Sequence, residues 1–225
     1  MILNQKIRGS TRAYSYELIK NRILHLELEP GTKISEKEIA DELQVSRTPV
    51  REAFMKLAEE ELLDIIPQSG TMVSLINLNH VEEGRFVREK LEKEIVALAC
   101  HSFPEEYKFK MESNIAMQDL CVDKNNFYQL FELDEEFHKL LFQATGKIRT
   151  WRLLQQLNIH FNRLRILRLI QDSNWEHLIQ QHKEIYRLVM EGDPDRAMQA
   201  MEDHLRLVVV DRKVLTEKYP HYFIY

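Results

Sequence analysis

Three histidines and one aspartate in the C-terminal part of the chain stand at spacings that suit a metal ion. Asp134 and His138 are four residues apart in Asp134-Glu-Glu-Phe-His138, so on a helix both project from one face, within reach of a single ion. His182 lies ten residues before Gly192, and His204 lies ten after Pro194. If Gly192-Asp193-Pro194 turns an antiparallel helical hairpin, the two imidazoles share one height, roughly 15 Å from the turn at about 1.5 Å per residue. Three imidazoles and a carboxylate from three helices would then converge in a bundle core. Such a donor set suits zinc, nickel, iron or manganese, with zinc the default. The ordinary alternative is that these are unrelated helical histidines, at the surface or hydrogen-bonded, since the chain has nine in all.

A second constellation suits nucleic acid. Arg47 and Arg51 are four apart and share a face in the first turns of a helix that starts near Ser46. A guanidinium fork can bond guanine O6 and N7 together, or grip a phosphate. Thr48 and the helix N-terminus can hold a phosphate as well. On spacing alone, two such arginines are usually a solvated face.

These residues need elements to carry them. Residues 13–28 read as an amphipathic helix through Leu18, Ile19, Ile23 and Leu26, ended by Pro30-Gly31. Ser35 and Glu38 form a capping-box pattern ahead of a short helix with Ile39, Ala40 and Leu43 inward. The helix after Ser46 carries Pro49 in its first turn and turns Val50, Ala53, Phe54 and Leu57 to the core. Residues 62–66 and 71–76 are β-prone runs around the turn Pro67-Gln68-Ser69-Gly70. Two short helices, the second bearing arginine, followed by a hairpin describe a winged helix-turn-helix, whose second helix enters the major groove. Beyond residue 80 every segment reads as helix, near 80–102, 105–122, 125–145, 149–170, 174–191 and 194–216. Breaks are expected at Pro104, Asp123, Gly146, Asp172-Ser173-Asn174 and Gly192-Asp193-Pro194. The fold class is therefore mainly α: an N-terminal winged helix-turn-helix and a C-terminal antiparallel helical bundle. The expected boundaries are 10–76 for DNA binding, 77–79 for a linker, 80–218 for the bundle and 219–225 for an aromatic tail, a packing or subunit-contact element.

Composition narrows the classes further. The chain has 225 residues, 44% of them hydrophobic and 30% charged, enough for a packed core and too ordered for a disordered chain. Six glycines and six prolines are too few for an all-β protein rich in tight turns. Net charge is −5, and residues 1–76 carry 10 Lys and Arg against 12 Asp and Glu. No basic domain signals nucleic acid, so that case rests on local motifs. Cys100 and Cys121 make no disulfide framework and read as small buried residues of a reduced, cytoplasmic protein. The start Met1-Ile-Leu-Asn-Gln-Lys-Ile-Arg8 has no apolar signal core. No stretch is long and apolar enough for a membrane span, so no membrane partner is expected.

The motifs resemble a known family. Leu28-Glu-Pro-Gly31, Ile34-Ser-Glu-Lys-Glu-Ile-Ala40 and above all Val45-Ser-Arg-Thr-Pro-Val-Arg-Glu-Ala53 are similar to the DNA-binding domain of the GntR family of bacterial regulators. The resemblance implies DNA contacts from Lys37, Arg47 and Arg51, with Gly70 in the wing letting backbone approach the minor groove. Lys37 stands where several relatives have arginine, and Gln44 and Glu61 stand where relatives often have glycine. Phe86-Val-Arg-Glu-Lys-Leu-Glu92, Asp134-Glu-Glu-Phe-His138, His182-Lys-Glu-Ile-Tyr186, Gly192-Asp-Pro-Asp-Arg-Ala197 and Met201-Glu-Asp-His-Leu205 resemble the FCD ligand-binding domain of the FadR-type subfamily. Lys147 departs from it, where relatives often have asparagine. This second resemblance implies metal ligation by Asp134, His138, His182 and His204. It also implies a small organic acid at an open coordination position, with Arg88 as carboxylate anchor; Glu92, four residues on, is its alternative partner. Arg163, Arg165 and Arg168 lie on one helix and are equally explained as solvated. The implied protein is a homodimeric regulator, a repressor by family default, that binds a double-stranded operator under effector control. The first alternative is the same DNA-binding regulator with a purely structural metal; the rival from another class is a metal-dependent hydrolase. Against it, the only nearby bases, Glu135 and Glu136, are turned around the helix from the ligands, so no enzyme is expected.

Overall fold

The computed structural model describes residues 11–124, 126–171 and 175–225. The break expected at residues 172–174, the start of the chain read at residues 1–8, and the boundary at residue 10 lie outside the described residues. The chain divides into two units, one of residues up to 76 joined by His221–Ile224, the other of Asn77–Pro220.

The first unit opens with α1 (Thr11–Leu24), which buries Ile19 and Ile23 against α3 (Arg47–Glu59). The helix stops four residues before the expected end. Leu26 takes a left-handed φ of 59°, and Leu28 N–H closes the turn on the Arg22 carbonyl at 3.0 Å. Between α1 and α3 lie β1 (Lys33–Ile34) and α2 (Glu36–Leu43). Ser35 caps α2 by accepting the Glu38 N–H at 3.1 Å, as its pattern predicts. Ser46 takes the capping position of α3 but its side chain makes no cap bond. Val50, Ala53, Phe54 and Leu57 of α3 are fully buried. The strands β2 (Leu63–Ile66) and β3 (Gly70–Val73) pair antiparallel, with Ile66 opposite Gly70. β1 adds to the far side of β3, giving the order β1-β3-β2. Sequence periodicity missed β1 because two residues carry no alternation. The second β-prone run is shorter than expected: β3 ends at Val73, and Ser74 turns back with its hydroxyl on the Glu61 carbonyl at 2.6 Å. Ile76–Asn77 forms a separate strand, β4, paired with the C-terminal β5 (Phe223–Ile224). The aromatic tail is thus partly strand.

The second unit is a helical bundle of α4 (Leu78–His101), α5 (Glu105–Asp123), α6 (Phe127–Ala144), α7 (Ile148–Leu157), α8 (Ile159–Gln171), α9 (Trp175–Glu191) and α10 (Pro194–Lys218). Residues 77–79 are not a separate linker: Asn77 accepts the Asn79 N–H at 2.9 Å and caps α4, whose first turn begins at Leu78. Phe137, Phe142, Ile185, Ala197 and Met201 belong to one core fed by α4, α5, α6, α7, α9 and α10. α4 lies between neighbours, packing on α6, α7, α8, α9 and α10.

One expected helix is two. The segment read as 149–170 breaks at Asn158, which ends α7 and whose carbonyl accepts the Asn162 N–H at 2.7 Å to start α8. Apolar spacing runs through the junction, so periodicity could not reveal it. At the break the neighbouring helix comes close. Gly84 of α4 sits so close that a β-carbon there would stand 2.9 Å from the Leu157 carbonyl oxygen. The α9–α10 turn forms as read: Gly192 takes φ 71°, Asp193 accepts the Arg196 N–H at 3.2 Å, and Pro194 opens α10. Among the described residues no helix is long and apolar enough to cross a membrane.

Candidate metal centre and nucleic-acid interface

Asp134 and His138 project from α6, His182 from α9 and His204 from α10. All four are buried, and one donor atom from each lies within 4.8 Å of the others. The i, i+4 pair works as helix geometry requires, with His138 Nε2 3.8 Å from Asp134 Oδ2. The hairpin sets His182 and His204 side by side, ring centroids 4.7 Å apart. His182 Nε2 is 3.6 Å from Asp134 Oδ1, and His138 Nε2 is 3.2 Å from His204 Nε2.

What surrounds the imidazoles decides what they can do. Each Nδ1 faces an acceptor: His138 meets the Glu92 carboxylate, His182 meets Gln118 Oε1 at 2.7 Å, and His204 meets Gln181 Oε1 at 3.1 Å. A proton on each Nδ1 leaves each Nε2 lone pair pointing at the shared centre. His138 and His204 would then oppose two lone pairs at 3.2 Å, while His182 Nε2 is buried with no hydrogen-bond partner. A divalent cation relieves both conditions, so the residues present fit one.

The charge states agree. Burial pushes the His182 imidazole down to about 3, and burial also holds His204 well below its ordinary value, so both stay neutral. Burial alone would raise the Asp134 carboxyl, but the Arg165 guanidinium outweighs it and keeps it ionised. Burial likewise opposes ionisation of Glu92, and Arg88 with His138 overcomes it, bringing the group to about 2. Neutral imidazoles and a carboxylate are the forms that ligate metal.

A cavity opens beside this cluster. It is small, about 20 Å³, and is lined by Arg88, Asp134, Phe161, Arg165, Arg168 and His204 among others. Arg88 is fully buried on α4. Its Nε donates to Glu92 Oε1 at 2.5 Å, its Nη1 lies 3.4 Å from Glu135 Oε1, and its Nη2 has no hydrogen-bond partner. The alternative pair with Glu92 is therefore formed, and one donor is still left over.

Arg163 and Arg165 correct the solvated reading, since both are buried. Arg165 donates to Asp134 and to Glu135. Its neighbours' negative charge outweighs burial and raises its pKa. Glu135 turns to Arg88 and Arg165, and accepts from Gln155 at 2.8 Å, rather than facing the histidines. Sequence reasoning took Glu92 only as a partner for Arg88, and it passed over Gln118 and Gln181. A signal existed for Glu92: it and Arg88 fall on the buried face of α4 alongside Ile95 and Val96. Nothing comparable marks the two glutamines.

In the first unit, Lys37, Arg47, Thr48, Arg51 and Gly70 are all exposed. Arg47 and Arg51 stand one turn apart at the start of α3, and neither pairs with an acidic group among the described residues. Neighbouring cations are neutralised instead: Arg12 with Glu52 at 3.3 Å, Lys20 with Glu60 at 2.7 Å and Arg22 with Glu42 at 3.0 Å. Gly70 has φ 108° with open space where a β-carbon would stand. Gln44 and Glu61 both take left-handed turns, at φ 55° and 59°, a conformation that favours glycine. Lys147 precedes α7 without a side-chain cap bond.

Comparison with known proteins bears on both units. Residues 13–73 match the model of the "Bacterial regulatory proteins, gntR family", and residues 85–207 match the FCD domain. The chain is 34% identical over 191 residues to the HTH-type transcriptional repressor RspR of Escherichia coli (strain K12), covering 85% of this chain and 84% of that one. It is 32% identical over 211 residues to an HTH-type transcriptional regulator of Streptomyces ambofaciens, covering 92% and 87%. E. coli McbR/YncC has the same fold at 17% identity, with a TM-score of 0.78 over 94% of this chain and 99% of the other. With a GntR helix-turn-helix followed by an FCD domain that fills more than half its length, the chain belongs to the GntR family of bacterial regulators and is a DNA-binding transcription regulator of the FCD type.

Proposed function

We propose that this regulator is a repressor whose operator affinity is set by a small carboxylate bound beside a divalent ion in the helical domain. One observation carries the reading: three buried imidazoles and a carboxylate turn their free donor atoms to one point, beside a cavity lined by arginines. Asp134, His138, His182 and His204 would hold the ion, with zinc the default. Bound there, the ion would supply positive charge and an open position for an anionic ligand. Arg88 and Arg165 would orient the carboxylate, and Glu92, Gln118 and Gln181 would keep the imidazoles in the ligating tautomer.

Domain 10–76 would read the operator through Lys37, Arg47, Thr48, Arg51 and Gly70, and domain 80–218 would bind effector and form the homodimer. Two-fold symmetry suits a roughly palindromic operator. An effector that prefers one arrangement of the dimer shifts the population, and with it operator affinity. Repression is supported by the name of the E. coli relative RspR.

The test is elemental analysis of untagged protein purified without chelator, then melting and operator-binding titrations with a panel of organic acids. The expected result is about one ion per chain, lost in His138→Ala, with operator release by an acid that also raises the melting temperature. Absence of metal after incubation with zinc, nickel and manganese would refute the metal centre. Bound metal with no response to any acid would make the ion structural. Operator binding that survives only with the acid present would make the acid a corepressor rather than an inducer.

A further inference from the structure

We infer that Tyr16 is a positioning residue for DNA recognition: its buried phenol clamps the C-terminal end of α3 to α1 and so fixes the angle at which Arg47 and Arg51 are presented. The inference rests on the reading of α3 as the helix that contacts the operator, and it adds what holds that helix at its angle.

Apolar contacts decide where α3 lies. Val50, Ala53, Phe54 and Leu57 are fully buried along one side of it, and Ile19 and Ile23 of α1 are fully buried as well. Burial of hydrocarbon is non-directional, so such a seam admits small changes of tilt at little cost. Directional bonds gather at the far end of the helix. Tyr16 is 6% exposed. Its hydroxyl donates to Glu60 Oε1 at 2.5 Å and accepts from Lys20 Nζ at 2.9 Å, while Lys20 Nζ also donates to Glu60 Oε2 at 2.7 Å. Lys56, one turn before Glu60, places its Nζ 3.5 Å from the centre of the Tyr16 ring. The phenol thus uses its donor, its acceptor and its π face together. Burial, and then the Glu60 carboxylate, push Tyr16 above its ordinary pKa, so the hydroxyl keeps the proton it donates. A second polar tie between the two helices, Arg12 with Glu52 at 3.3 Å, is exposed on both sides and contributes little.

The length of α3 turns this clamp into a matter of recognition. Glu60 stands 13 residues after Arg47, about 20 Å along the axis at about 1.5 Å per residue. Over that length a tilt of about 5° displaces one end against the other by about 1.7 Å. A group that reads a base edge through paired hydrogen bonds has to be held within about 0.5 Å. Attraction to phosphate is long-ranged and tolerates the shift. Tyr16, being buried, acts only through α3, and its loss should therefore reduce specificity while leaving non-specific binding in place.

The experiment uses full-length protein, a duplex selected by the wild type from a random-sequence library, and a scrambled duplex of the same length. Affinities for both are measured by fluorescence anisotropy across a salt series, at a temperature where circular dichroism shows every variant folded. Tyr16→Phe keeps the ring beneath Lys56 and deletes the hydroxyl. The expected result is about a tenfold fall in the ratio of specific to non-specific affinity, with scrambled-duplex affinity and its salt slope unchanged. Glu60→Gln keeps an acceptor for the phenol and should retain part of the ratio. Glu60→Leu should lose it as Tyr16→Phe does, and the two changes together should lose no more than either alone. Ile19→Val is the control for plain destabilisation: it loosens the same helix without touching the clamp and should leave the ratio intact. An unchanged ratio in Tyr16→Phe would overturn the inference, as would an equal fall in Ile19→Val, which would make the phenol merely structural. Specific binding that survives Arg47→Ala with Arg51→Ala would overturn the reading of α3 as well.

Discussion

Glu92→Gln tests the candidate metal centre at a residue that touches neither cavity nor ion. The Glu92 carboxylate has two acceptor oxygens and two customers, Arg88 Nε–H at 2.5 Å and the Nδ1 edge of His138. Glutamine keeps the shape but offers one acceptor, so its NH₂ must face one of those donors. If it faces His138, the imidazole moves its proton to Nε2, into the position a metal would take. If it faces Arg88, a buried guanidinium loses its nearest counter-charge. Breaking a buried ion pair from one side removes about 3–5 kcal/mol. The lower end applies here because Arg88 keeps Glu135 at 3.4 Å. About 3 kcal/mol corresponds to roughly 6–12 °C in melting temperature for a protein of this size. Loss of a partner behind a ligating histidine lowers metal affinity about 10–100-fold. Melting of metal-free protein reads the first effect, and competition with a chromophoric chelator reads the second. Glu82→Gln is the control, since its half-exposed pair with Arg85 should contribute less than about 1 kcal/mol. A Glu92→Gln protein that melts within about 2 °C of wild type, with unchanged metal affinity, would refute both the buried pairing and the tautomer argument.

Gly84→Ala places a β-carbon 2.9 Å from the Leu157 carbonyl and should destabilise the bundle by about 1–3 kcal/mol, read by denaturant titration; a neutral result would mean the α7–α8 junction moves freely. Gln44→Gly should stabilise the first unit by roughly 0.5–1 kcal/mol, because it relieves a left-handed residue at φ 55° and gives up only an exposed side-chain bond to the Asp41 carbonyl. The double change Arg47→Ala with Arg51→Ala should leave melting within about 0.5 kcal/mol, since both side chains are exposed, yet weaken specific operator binding about tenfold or more per arginine in a mobility-shift titration. Retained specific binding would remove α3 from the interface as drawn.

The sequence carried what is periodic or local. The capping pattern at Ser35, the turn at Gly192-Asp193-Pro194 and the four-residue step from Asp134 to His138 are each settled within a few turns of helix, and each was readable. Even the pairing of His182 with His204 followed from counting outward from one turn. Tertiary structure decided what depends on neighbours remote in the chain. No breaker residue advertises the α7–α8 break, and the close approach of Gly84 to the Leu157 carbonyl there is a contact between two helices remote in the chain. Gln118 reaches His182 from 64 residues away, and Arg165 reaches Asp134 from 31. A burial pattern reports that a polar side chain faces inward but not which group it meets there. Glu92 could be read as a helix-face partner of Arg88, while its second contact, with His138, exists only because α4 and α6 pack together.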